Sequence, residues 1–203
     1  MHLRDRITGS WGEHQKLSYE QKVRLLNGMD RLGADAGLAT TWTVGARGAV
    51  AEALFAPQGG RNQVSLPNPR HPTASGRPGR TRLDGFFEAG RRAGNAVKQW
   101  LELKSDRIHE SPERALAAAR AYAREGLMDW HALKDGAATA SDGIVIHFVR
   151  KPAAGAEAGM LKVLFGAESP FSAVRFGDGP WIERPDTAPM PALPPPLKGP
   201  AAP

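Results

Sequence analysis

The chain has 203 residues, 41% of them apolar and 24% charged. That suits one folded domain with at most a small appendage and argues against wholesale disorder. With 27 basic and 21 acidic residues the net charge is +6, a balance that suits a polyanion such as nucleic acid, or an acidic protein. The absence of Cys excludes disulfides, cysteine nucleophiles and thiolate metal sites. No apolar run approaches the length of a membrane span, so no membrane partner is expected. The opening Met1-His-Leu-Arg-Asp-Arg carries no apolar segment, so no cleavable secretory signal is expected.

In chain order, Ser18-Tyr-Glu-Gln21 predicts a helix start with a capping box. Leu25, Leu26, Met29 and Leu32 then recur at helical spacing as far as Gly33. A second helix is predicted over 46–55, despite Gly48. Pro57 to Arg80 holds five prolines together with Arg61, Arg70, Arg77 and Arg80, and is expected to be a long basic loop. Strands follow at 82–87 and 97–104, a hairpin whose nine-residue tip carries Arg91 and Arg92.

Ser111-Pro112-Glu113 opens a third helix, Ala-rich to Arg124 and expected to stop at Gly126, with a short helical continuation over 127–134. Residues 142–150 form a strand apolar enough to be buried on both faces. Residues 156–165 are consistent with helix or strand. A late hairpin joins Ser172–Phe176 to Pro180–Glu183 across Gly177-Asp-Gly. Nine prolines from Pro180 onward make 184–203 an extended, polyproline-like tail. The expected organisation is an N-terminal helical segment 1–44, an α/β domain 45–183 with a sheet flanked by helices, and this tail.

The chemistry concentrates in the predicted hairpin. Alternation along a strand puts Glu102 and Lys104 on one face, and Val97, Leu101 and Leu103 on the other. Asp84 stands on the neighbouring strand. Carboxylates brought together repel, and a hard divalent cation, Mg²⁺ or Mn²⁺, relieves that repulsion. The alternative reading is a same-face ion pair between Glu102 and Lys104, with Asp84 a turn residue.

This pattern, Asp84, 17 residues (85–101), then Glu102-Leu-Lys104, resembles the PD-(D/E)xK nuclease superfamily over about residues 45–150. Leu83 stands where the family motif has Pro, and helix 112–125 lacks the Gln-x-x-x-Tyr of the RecB-like subgroup. The resemblance implies a restriction-endonuclease-like mixed sheet flanked by helices, and hydrolysis of phosphodiesters. It implies metal ligands in Asp84, Glu102 and the Leu103 carbonyl, with Lys104 orienting water or offsetting charge on the phosphoryl group. Glu52, on the preceding helix, would bind a second metal or hold a water; its other reading is a salt bridge to an Arg.

Arg77, Arg80, Arg91 and Arg92 would contact phosphates of a nucleic-acid substrate, DNA in preference to RNA. Trp100 is expected in the core. Two other functions remain open: a non-catalytic basic binding or adaptor module, and a metal-independent RNase using His109, His131 or His147. A basic nuclease of this kind would fit a bacterial toxin with an acidic immunity or inhibitor partner. Such a chain would act in the cytoplasm, or in a target cell after specialised secretion, as a monomer or an oligomer.

Overall fold

The computed structural model describes residues 16–37, 40–55, 61–70, 72–77, 79–92, 95–136, 143–188 and 190–191; within them, 40–44, 61–64, 86–92, 95–98 and 136 are described by backbone alone. The elements are α1 (Tyr19–Asp35), α2 (Thr40–Phe55), β1 (Arg61–Asn68), β2 (Gly79–Arg92), β3 (Asn95–Lys104), α3 (Pro112–Gly136), β4 (Gly143–Phe148), α4 (Glu157–Leu164), β5 (Phe171–Phe176) and β6 (Trp181–Glu183). The six strands form one mixed sheet in the order β1-β2-β3-β4-β5-β6. The meander β1–β2–β3 is antiparallel, β4 and β5 join it in parallel, and β6 closes antiparallel.

The parallel steps require crossover connections, and α3 and α4 provide them. Their apolar sides, with Ala115, Ala119, Leu133, Met160 and Leu164, cover one face of the sheet over Leu83, Ile144, Ile146, Phe148 and Val174. The other face carries a smaller cluster in which Leu26 of α1 meets Val50, Ala51 and Leu54 of α2 with Leu103 and Val149. The N-terminal helix therefore shares a core with the sheet.

Local chemistry explains several elements. At the start of α1, Ser18 Oγ accepts from Gln21 N at 3.2 Å and Gln21 Oε1 accepts from Ser18 N at 2.7 Å, the expected capping box. The helix runs past Gly33, and only part of its apolar series is buried: Leu26 is inside, while Leu25 and Leu32 are exposed. Every residue of β4 is buried, as its continuous apolar run demands. The late hairpin forms, with Gly177 at φ +58° in its turn.

Three expectations need correction, and one left open is decided. The segment 57–80 is not a loop throughout, because β1 occupies 61–68 and supplies the third strand of the meander. Its Pro67 is tolerated because β1 is an edge strand. The hairpin strands run longer than 82–87 and 97–104, reaching Arg92 and Asn95, with a register shift between Glu88 and Arg91 absorbing an irregularity. Gly126 does not stop α3. A Cβ there would lie 2.6 Å from the Phe171 ring, so the glycine is a notch that lets helix and strand approach. Residues 156–165 are helical over 157–164.

Most of the predicted tail, 192–203, lies outside the described residues. Its first residue is packed: Arg184 donates to the carbonyls of Phe171 (2.9 Å) and Phe165 (3.0 Å). Among the described residues, no helix is long and apolar enough to cross a membrane.

Candidate active site

The site lies where β2 and β3 part. Their pairing runs from Arg92–Asn95 to Gly85–Leu101 and ends there. Continued, that register would set Asp84 opposite Glu102 and Leu83 opposite Leu103. Instead Leu83 is buried in the core under α3 and α4, whereas Leu103 is buried in the cluster under α1 and α2. The strands have twisted apart by the time they reach Asp84. The Leu103 N–H, now without a ladder partner from β2, donates to Asp84 Oδ2 at 2.8 Å. A strand residue's N–H and C=O point to the same side, so the Leu103 carbonyl faces this opening as well.

Glu102 and Lys104 share the opposite face of β3 from Leu103, as alternation requires. Glu102 is 3% exposed. Its Oε2 accepts from Lys104 Nζ at 2.7 Å. Its Oε1 is buried with no hydrogen-bond partner. Asp84, Glu102 and Lys104 line one cavity of about 410 Å³, with Arg80 and Arg82 beside them. Three of the predicted residues therefore converge from two strands.

Helix α3 supplies what sequence reasoning missed. Tyr122, Glu125 and Asp129 recur at helical spacing and face the cavity region. Glu125 Oε2 lies 3.6 Å from Lys104 Nζ, and the ammonium sits 4.5 Å from the centre of the Tyr122 ring. Tyr122 donates its hydroxyl hydrogen bond to Asp106, and Thr81 of β2 donates to Asp129. The helical spacing of those acids was the available signal, but acids at helical spacing ordinarily mark a solvated face.

Four carboxylates, one buried amine and the two guanidinium groups of Arg80 and Arg82 line the cavity. Burial, with Asp84 and Asp129 adding to it and Lys104 opposing it, pushes Glu102 up to about 8. Burial and then Glu125 push Asp129 up to about 7. Burial works against the charge on Lys104, but Glu102, Glu125 and Asp84 outweigh it and hold the amine above its ordinary value. At neutral pH the cluster keeps a proton that isolated carboxylates would shed.

The remaining predicted residues are spread more widely. Glu52 is 3.7 Å from Arg82 in an ion pair and does not line the cavity. Arg80 is at the cavity, with its guanidinium on Ser65 Oγ at 2.8 Å. Arg77 is exposed ahead of β2. Arg91 and Arg92 lie at the far end of β2; seven residues of strand separate Arg91 from Asp84, about 23 Å. Their side chains lie outside the description. Trp100 is buried in the core. Of the histidines, His147 is a core residue on Gly177 O at 2.9 Å, pushed down to about 4 by burial. His109 borders a different cavity, beside Arg150 and Asn27. None of His109, His131 and His147 lines the cavity that holds Glu102.

Among the described residues, no three His, Asp or Glu side chains form a ready metal-ligand set. Mg²⁺ does not require one, since it keeps several waters and takes one or two carboxylates. Asp84 and Glu102 line the cavity as hard oxygen donors, Glu102 with an unpartnered Oε1, and the Leu103 carbonyl lies on the side of β3 that faces Asp84. The residues present fit a hard divalent ion. No family model, curated protein or solved structure matches this chain.

Proposed function

We propose that this protein is a metal-dependent nuclease that hydrolyses phosphodiester bonds, DNA in preference to RNA, with a PD-(D/E)xK-type site. The observation that carries the reading is the buried, unpartnered Glu102 Oε1 beside Asp84 and Lys104 in a cavity at the point where two strands separate. The element order supports it: a helix, a three-stranded antiparallel meander, a crossover helix, and a strand parallel to the third. The resemblance implies a mixed sheet flanked by helices, and this order builds one.

Asp84, Glu102 and the Leu103 carbonyl would hold the ion. Bound there, Mg²⁺ or Mn²⁺ polarises the scissile phosphate and makes a nearby water more acidic. Lys104 donates to a phosphate oxygen and offsets charge that grows on it. Glu125 and the Tyr122 ring hold the ammonium in position. Arg80 and Arg82 at the cavity attract the polyanion. Water adds to phosphorus, the ester P–O bond breaks, and the water's proton ends on the leaving oxygen. A pI near 10 suits an acidic inhibitor as a protein partner, in keeping with a toxin that acts in a target cell.

The test is incubation with plasmid, single-stranded DNA and RNA, with and without Mg²⁺ or Mn²⁺. Cleavage should require the ion and fall by about 10²–10³ on Lys104→Ala. Cleavage that persists in chelator, or survives Lys104→Ala, would overturn the assignment. The 2.7 Å Glu102–Lys104 pair favours one alternative, a binding module in which the pair is structural. In that case the protein binds nucleic acid and cuts nothing under any metal.

A further inference from the structure

The cavity extends well beyond Asp84, Glu102 and Lys104. It continues along β2 past Thr81 to Asn68, the last residue of β1, and is closed by Met128 and Asp129 of α3. Asn68 pairs with Gly79, five residues from Asp84, so this end lies about 17 Å along the strand from the carboxylate. That sets Asn68 too far to share an ion with Asp84, while Asp129 lies between the two ends, within electrostatic reach of Glu125, Lys104 and Asp84.

The far end is rich in acceptors. Asn68 is 4% exposed. Its Nδ2 donates to Met128 O at 3.4 Å. A carbonyl can only accept, so this contact fixes the amide's orientation and leaves Oδ1 as the free atom. Asn68 Oδ1 is buried without a hydrogen-bond partner. Asp129, also 4% exposed, presents a carboxylate whose Oδ1 is held by Thr81. The nearby donors are engaged: Thr81 on Asp129, and Arg80 on Ser65. Beside these acceptors stands Met128, 41% exposed, a polarisable apolar surface.

A buried acceptor without a donor is costly, so an occupant that brings N–H groups is favoured. A phosphate brings none and is repelled by Asp129. A flat, donor-bearing group that can also lie on a thioether fits both features. A cavity of about 410 Å³ is of single-ligand size. Resting on the nuclease reading above, we infer that Asn68, Met128 and Asp129 form a subsite for one unpaired nucleobase bearing an exocyclic amino group, next to the phosphate that is cut. Adenine, cytosine and guanine offer such donors. Thymine and uracil carry no exocyclic amino group; their one ring N3–H lies between two carbonyl oxygens, so where that N–H meets one of Asn68 Oδ1 and Asp129, a carbonyl faces the other acceptor to acceptor. The strand must be single or locally opened, because a base stacked and paired in a duplex cannot enter the cavity and lie flat on Met128.

Two measurements on the full chain test this. In the first, calorimetry without metal compares dAMP, dCMP, dGMP and dTMP. The three amino-bearing nucleotides should bind about tenfold or more tightly than dTMP. In the second, a random single-stranded oligonucleotide is cut in Mg²⁺ and the new ends are sequenced. Positions flanked by thymine should be depleted to a similar degree. Asn68→Ala and Asp129→Asn should each bring both ratios close to one, and thermal melting confirms that each variant folds. Asp129→Asn keeps the side-chain shape and exchanges one acceptor for a donor, so it serves if Asn68→Ala is unstable. Cleavage without base preference, or a preference that both variants keep, overturns the subsite and leaves the nuclease reading intact. Base-selective binding without cleavage overturns the nuclease reading and sustains the subsite. Neither binding preference nor cleavage overturns both.

Discussion

Two buried ionic clusters flank the end of β3, and they are built on opposite rules. In the first, Arg150 donates to Asn27 at 2.9 and 3.1 Å, to Asp30 at 2.8 Å, and to the carbonyls of Ser105 and Asp106. Arg47 reaches the other oxygen of Asp30 at 3.0 Å and Ser105 Oγ at 3.3 Å. Both carboxylate oxygens of Asp30 and all three guanidinium nitrogens of Arg150 have partners there, and the cluster ties α1 and α2 to the strand ends. In the second, Glu102, Glu125, Asp129 and Asp84 surround Lys104, and Glu102 Oε1 faces nothing. Burial costs the same kind of desolvation in both places. Only the first offsets it within the chain. The second leaves a buried carboxylate oxygen unpartnered and holds a proton, the perturbed state common at functional sites.

The contrast can be broken by mutation. Asp30→Ala should have the largest effect on stability, about 3–5 kcal/mol in chemical denaturation, because it strands two buried guanidinium groups. A loss below about 1 kcal/mol would mean that water replaces Asp30 at low cost, and the first cluster would then be no better satisfied than the second.

The pH dependence of stability comes next. A carboxyl whose folded pKa exceeds its unfolded value binds more protons folded than unfolded across the interval between them. Stability must therefore fall as pH rises through that interval. For Glu102 the interval runs from 4.5 to about 8, and for Asp129 from 3.8 to about 7. Metal-free protein should lose at least about 1 kcal/mol between pH 5 and 8. Glu102→Gln should flatten that slope. Saturating Mg²⁺ should do the same for the wild type, since the ion favours the carboxylate. A slope unchanged by Glu102→Gln would place the titrating group elsewhere.

The smallest effect belongs to an exposed pair. Lys151 and Asp178 meet at 2.9 Å but stay largely in water. Lys151→Ala should shift the denaturation midpoint by no more than the scatter between repeat measurements. A shift several times larger would show that ion pairing here is governed by something other than burial.

The motif itself was legible because its signals are local. Alternation places Glu102 and Lys104 on one face, and Asp84 follows from a hairpin that turn residues announce. The capping box at Ser18 and the Pro112 helix start belong to the same class, since each depends on residues within one turn of each other. The elements that were missed depend on partners far away in the chain. β1 is polar and carries Pro67; it is a strand because β2 pairs along it and because its edge position excuses the proline. Gly126 reads as a helix stop until Phe171 is seen against it. The hairpin tip reads as a nine-residue turn until pairing is seen to continue through Arg91–Ala96 to Arg92–Asn95.

The site divides in the same way. Residue types and strand alternation determined Asp84, Glu102 and Lys104 in advance. Only the tertiary structure decided that β2 and β3 part beyond Gly85, that Asp84 takes the Leu103 N–H, and that α3 brings Glu125 and Asp129 alongside. It also turned Glu52 toward Arg82 and placed Arg91 at the far end of the hairpin. A strand's side-chain alternation is a property of neighbouring residues, whereas the charge balance of a cavity is set by whichever distant elements the packing of the sheet brings against it.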